Sequence, residues 1–155
     1  MATRRSAGIL LFRRSPTSIE VLLAHMGGPF WARRDAGAWT LPKGEYTPEE
    51  QPLAAARREF EEELGLPVPA GAPIHLGEVR QSGGKTVTAW ALQGELDPED
   101  VTPGTFEMEW PKGSGVLREF PEVDRVAWFD LADASERIVA GQRAFLDRLR
   151  DHLTP

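Results

Sequence analysis

The chain contains no cysteine, which excludes disulfides, thiolate nucleophiles and zinc–thiolate centres. It also lacks an excess of basic charge: 24 acidic residues against 18 Lys and Arg leave a formal charge of −6 at pH 7. Proteins that grip a phosphate backbone carry a basic stripe, so DNA or RNA duplex binding is not expected, although a local pocket for one small anion is compatible with this balance. No apolar run approaches the roughly 20 residues of a membrane span. The run 7–12 is too short for the core of a signal peptide and leads straight into Arg13 and Arg14. A cytoplasmic protein with no membrane partner is the expectation. The three histidines, His25, His75 and His152, have no metal-ligand spacing, and no serine lies in a nucleophile-elbow pattern. Gly84-Lys85-Thr86 imitates the end of a phosphate-binding loop, but Val79 stands where that loop needs glycine.

What is present suits one mixed α/β domain over residues 1–155. This length buries roughly two-thirds of the unfolded surface, and 41% hydrophobic with 27% charged residues is ordinary for a globular chain. Two strands are expected at 7–13 and 19–26 around a turn, with a brief one at 38–41 stopped by Pro42. Strands at 74–80 and 86–92 flank Gly83-Gly84, and a last one covers 123–129. Helices are expected at 131–139 and 142–153, the second with Phe145, Leu146, Leu149 and Leu153 at helical spacing. The stretch 97–115 is polar and rich in Gly and Pro, with Phe106, Met108 and Trp110 alternating against Glu107 and Glu109.

The most acidic segment is 44–66, GEYTPEEQPLAAARREFEEELGL. Thr47-Pro48-Glu49-Glu50 matches a capping box, with Thr47 as N-cap, Pro48 at the first helical position and Glu50 reaching back. Gly65 is placed to close the helix in a left-handed conformation. At about 100° per residue, Leu53, Ala56, Phe60 and Leu64 share an apolar face, and Glu59, Glu62 and Glu63 fall together opposite, with Arg58 beside them and Glu61 elsewhere. Such a run can be no more than a solvated face. Yet like charges three and four residues apart repel, and Glu62 and Glu63 sit where the helix dipole disfavours them. A divalent cation reverses both penalties, since Mg²⁺ prefers hard oxygen ligands with water and phosphate completing its shell.

Gly44, five residues, Glu50, seven residues, Arg58-Glu59, Phe60, one residue, Glu62-Glu63, one residue, Gly65-Leu66 resembles the Nudix box, with Phe60 where that family usually has an aliphatic residue. The resemblance implies an α/β/α sandwich: a mixed β-sheet with the catalytic helix on one face and the C-terminal helix on the other. It implies a Mg²⁺- or Mn²⁺-dependent hydrolase of a phosphoanhydride in a nucleoside diphosphate-linked small molecule. By position, Glu59, Glu62 and Glu63 would hold metal, Arg58 would orient them by a salt bridge, and the Gly44 carbonyl would join the coordination. Glu50 reads either as the capping-box residue or as a catalytic one.

The lead-in Trp39-Thr40-Leu41-Pro42-Lys43-Gly44 is similar to the W-x-x-P-K-G of Nudix enzymes acting on dinucleoside polyphosphates and some nucleoside triphosphates. Lys43 can bind a substrate phosphate as a point charge or simply balance nearby glutamates. Trp31, Arg33 and Arg34 lie in a loop expected to return near the box, where an aromatic and arginines can stack a base and clamp phosphates. Many Nudix enzymes use a further glutamate from outside the box, and Glu107 is the candidate here, with Glu109 as its competitor. A dinucleoside polyphosphate is the leading substrate class. The alternatives are a house-cleaning pyrophosphohydrolase of oxidised or non-standard nucleoside triphosphates and a non-catalytic nucleotide sensor. The chain is expected to be a monomer or homodimer.

Overall fold

The computed structural model describes residues 4–154. In chain order its elements are β1 (Arg4–Arg14), β2 (Ile19–Met26), β3 (Trp39–Thr40), β4 (Lys43–Glu45), α1 (Pro52–Leu64), β5 (Ile74–Gln81), β6 (Lys85–Gln93), β7 (Thr105–Glu109), β8 (Leu117–Pro121), β9 (Val123–Asp130), α2 (Leu131–Arg137) and α3 (Arg143–Leu153). The main sheet runs β3-β2-β1-β6-β5, with β4 paired on β1 and β9 on β2. β1 and β6 are parallel and the remaining pairs antiparallel, so the sheet is mixed.

β1 is the axis of the molecule. Ala7, Ile9 and Leu11 join one core cluster with Ala55, Ala56, Phe60 and Leu64 of α1. Leu10 and Phe12 join the other, with Phe145, Leu146 and Leu149 of α3. A strand covered on both faces reads as a continuous apolar run, as residues 7–12 do. Burying a side chain such as Phe60 contributes roughly 1.5–3 kcal/mol, and it is completely inaccessible. The architecture is therefore the expected α/β/α sandwich, with α1 on one face and α3 on the other. Among the described residues no helix is long and apolar enough to cross a membrane.

Three local expectations are corrected. The helix does not begin at a Thr47 cap: Thr47–Glu50 is a separate turn, closed by the Glu50 N–H donating to the Thr47 carbonyl at 3.0 Å. α1 starts at Pro52, because a residue preceding proline is driven out of the helical region, and Gln51 is extended at φ −68°, ψ 133°. The apolar face uses fully buried Ala55 where Leu53 was expected; Leu53 is only half-buried. Finally, the polar stretch 97–115, to which the sequence assigns no element, contains β7, which with β8 forms a two-stranded hairpin apart from the main sheet, pairing Thr105 with Pro121 and Glu109 with Leu117. The C-terminus of α1 follows expectation: Gly65 is left-handed (φ 68°) and its N–H donates to the Glu61 carbonyl at 2.8 Å.

Candidate active site

β4 pairs antiparallel with the start of β1, setting Gly44 opposite Ala7 and placing Lys43 and Gly44 under the second half of α1. Glu59 and Glu63, one helical turn apart, come down on this strand. An added Cβ at residue 44 would fall 1.9 Å from Glu59 Oε2, so only glycine admits the carboxylate there. The Lys43 N–H donates to Glu63 Oε2 at 3.3 Å.

The third acidic group comes from outside the helix. Glu122 lies between β8 and β9, its N–H donating to the Gly104 carbonyl at 2.8 Å and its carbonyl accepting from the Gly27 N–H at 2.9 Å. Its side chain lines, with Glu59 and Glu63, a cavity of about 300 Å³. Lys43, Lys85 and Arg4 line the same cavity. Among the described residues Lys43 and Lys85 make no ion pair, and Arg4 is only 3.8 Å from Glu45. The cavity thus carries four carboxylates, Glu45 with Glu59, Glu63 and Glu122, and beside them three cationic groups.

Arg58 organises the acidic side from above. Its guanidinium donates bidentately to Glu50, Nε to Oε2 at 2.7 Å and Nη2 to Oε1 at 2.8 Å. Nη1 donates to Glu59 Oε1 at 2.8 Å and to Glu62 Oε2 at 3.2 Å. This replaces the capping reading of Glu50: its carboxylate is spent on Arg58, which holds its pKa below the usual range.

Electrostatics follow burial. Desolvation pushes the Glu63 carboxyl up to about 8, against the pull of Lys43, with Glu122 and Glu59 adding like charge. Glu59 is raised mainly by burial, Arg58 opposing. Burial lowers the Lys43 ammonium, Glu63 opposing and Lys85 adding to the fall. Ionising these carboxyls is costly without a cation close by.

The remaining sequence candidates are placed less centrally. Glu62 is exposed and bonded to Arg58, and it does not line the cavity. Trp31 packs against the α3-side core with Arg34 over its ring at 5.6 Å. Arg33 and Arg34 are exposed, the Arg34 N–H closing a turn on the Trp31 carbonyl at 3.0 Å, and none of these three lines the cavity. Glu107 is exposed on β7 opposite Glu119, away from the cavity lining. Glu109 caps the hairpin turn, accepting from the Gly113 N–H at 2.6 Å. Glu122 carries no local signal, and Lys85 carries only its place beside the Gly83-Gly84 turn, where a basic residue can add positive charge. Only long-range pairing, of β9 with β2 and of β6 with β1, brings them to the cavity. His25 is buried between Asp124 Oδ1 at 2.8 Å and the Arg34 carbonyl at 2.6 Å.

The donor set suits a divalent ion. It is all hard oxygen, with a buried carboxyl disfavoured as a bare anion, and it suits an ion that keeps several waters. Among the described residues no three acidic side chains are grouped closely enough to hold an ion by themselves.

A family model described as the NUDIX domain matches residues 2–149. No curated protein sequence matches the chain significantly. Among solved structures, the Caenorhabditis elegans Ap4A hydrolase binary complex is similar with a TM-score of 0.68 at 23% identity, covering 97% of each chain. The NUDIX domain of Shewanella oneidensis NrtR, complexed with ADP ribose, gives 0.65 at 18% identity over 99% of this chain and 90% of that one. The MutT protein from Methanosarcina mazei Go1 gives 0.61 at 22% identity over 97% and 96%.

Proposed function

The chain belongs to the NUDIX domain family, a phosphoanhydride hydrolase by that membership, and on this premise we propose that it cleaves a dinucleoside polyphosphate. The observation that carries the reading is the cavity in which Lys43, Lys85 and Arg4 stand beside Glu59, Glu63 and Glu122. One phosphate can be served by one lysine; a row of cationic groups suits an extended phosphate chain. The likeness to the nematode Ap4A hydrolase is consistent with this, but its 23% identity bears on the fold alone.

In this reading Glu59 and Glu63, with Glu62 and the Gly44 carbonyl, would hold Mg²⁺ or Mn²⁺. Such an ion polarises phosphoryl oxygens and makes bound water more acidic. The chain's own groups do the rest. Arg58 fixes the Glu59 and Glu62 carboxylates, and Glu50 fixes Arg58. Glu122 makes no hydrogen bond through its side chain among the described residues, so its oxygens are open to orient a water and take its proton. The water oxygen bonds to phosphorus as the anhydride P–O bond breaks, and a nucleotide departs with the bond's electrons. Lys43, Lys85 and Arg4 neutralise the phosphate oxygens as charge builds.

The test is product analysis. Incubation with Mg²⁺ and a four-phosphate dinucleoside should give two nucleotides. Preferred release of a monophosphate and pyrophosphate from nucleoside triphosphates would instead support the house-cleaning activity.

A further inference from the structure

Gln142 is completely buried although it carries an amide. It immediately precedes α3, in the layer opposite the box helix. Its Oε1 accepts from the Leu41 N–H at 3.1 Å, and its Nε2 donates to Thr40 Oγ1 at 2.9 Å. The Thr40 hydroxyl passes its own hydrogen to the Leu41 carbonyl at 2.9 Å. The other Nε2 hydrogen reaches Gln81 Oε1 at 3.4 Å. The approach is backed by the chain just before it, where the Val139 N–H donates to the Trp39 carbonyl at 2.8 Å and Ile138 bridges Trp39 in parallel.

These partners belong to two segments far apart in sequence. Thr40 and Leu41 lead through Pro42 into Lys43. Gln81 ends β5, and the turn after it delivers Lys85 at the start of β6. One amide therefore bonds both segments that carry the cavity's lysines. A second chamber of about 280 Å³ lies between them, lined by Thr40, Gln81 and Gln142 together with Lys43, Lys85 and Glu63. An apolar side chain of equal volume would leave the buried Leu41 N–H without the acceptor it has here, so the amide satisfies the backbone as well as reaching both segments. What an amide adds is direction: two donors and an acceptor at set angles.

We propose that Gln142 is a positioning residue that sets the spacing of Lys43 and Lys85, and with it the length of phosphate chain the cavity accepts. This rests on the reading of those amines as phosphate ligands.

The test compares KM and kcat for a four-phosphate dinucleoside with the inhibition constant of ADP, alongside the melting temperature of each variant. Gln142→Met is expected to raise KM for the long substrate about tenfold, as small misplacements of binding groups do. Its kcat should stay within about threefold, and ADP inhibition should not change. Lys85→Met should raise the same KM, and the double variant should be no worse than Lys85→Met alone, because both remove one function. Equal losses toward both ligands, or additive effects, overturn the positioning role. A Lys85→Met effect without a Gln142→Met effect overturns positioning alone. No effect of Lys85→Met overturns the phosphate reading, and positioning with it. Should Gln142→Met not fold, Gln81→Met at its half-exposed site serves instead. It should raise KM for the long substrate about threefold, and an unchanged KM overturns the proposal.

Discussion

Arg58 and Glu50 are joined by two parallel hydrogen bonds of 2.7 and 2.8 Å, across the gap between the turn at 47–50 and the middle of α1. The pair leaves Nη1 of Arg58 to hold Glu59 and Glu62. Glu50 therefore acts on the acidic cluster at one remove. Glu50→Gln should lower kcat about ten- to hundredfold, the usual effect of losing a partner that orients a ligand. The neighbouring Glu49→Gln, on an exposed side chain, should leave kcat within about twofold. Parallel steady-state assays on the two variants check this.

Glu122→Gln should cut kcat by about 10²–10⁴-fold, the range associated with losing a general base, with KM little changed. Glu107→Gln should stay near the parent rate, since that side chain is exposed on β7. If the two variants exchange these outcomes, the assignment of Glu122 fails.

Without divalent ions, stability should fall as pH rises from about 4.5 to about 8. The Glu63 carboxyl is pushed up to about 8 in the folded chain, from 4.5 when unfolded, so the folded state holds the extra proton across that window and loses the advantage as pH climbs. The total is on the order of a few kcal/mol. Glu63→Gln should flatten this slope, and added Mg²⁺ should stabilise the parent most above pH 8. Denaturant titrations across pH, in chelator and in Mg²⁺, measure all three.

Gly44→Ala should be inactive out of proportion to its size. The new methyl falls on Glu59 Oε2, so the carboxylate must leave its place against β4. The atoms displaced end a flexible side chain, so stability should change by less than about 1 kcal/mol, with kcat down about a hundredfold. A crystal structure of the variant should show the Glu59 side chain displaced.

Much of the fold was legible because its signals are local. The doubly buried β1 showed as an unbroken apolar run, and Phe145, Leu146 and Leu149 marked the face of α3. In the box, Glu59 and Glu63 follow from helical spacing. The start of α1 was misread because two prolines compete for the first helical position, and the extended Gln51 decides for Pro52. Glu122 was missed because nothing in Phe120-Pro121-Glu122-Val123 marks it. Its place depends on β9 pairing with β2 and on the Gly27 N–H. The loop of Trp31, Arg33 and Arg34 has suitable chemistry for a nucleotide, but none of the three lines the cavity.

The β7–β8 hairpin leaves the sheet from a base closed by the Glu122 N–H bonded to the Gly104 carbonyl, and farther out its Trp110 rests edge-to-face on Phe30 of the loop after β2. The hairpin can lengthen, shorten or change its side chains while Glu122 keeps its position, because the Gly27 and Gly104 bonds hold it from below. Such an arm is an interchangeable part: reshaping it can alter what approaches the cavity without altering the carboxylate beneath.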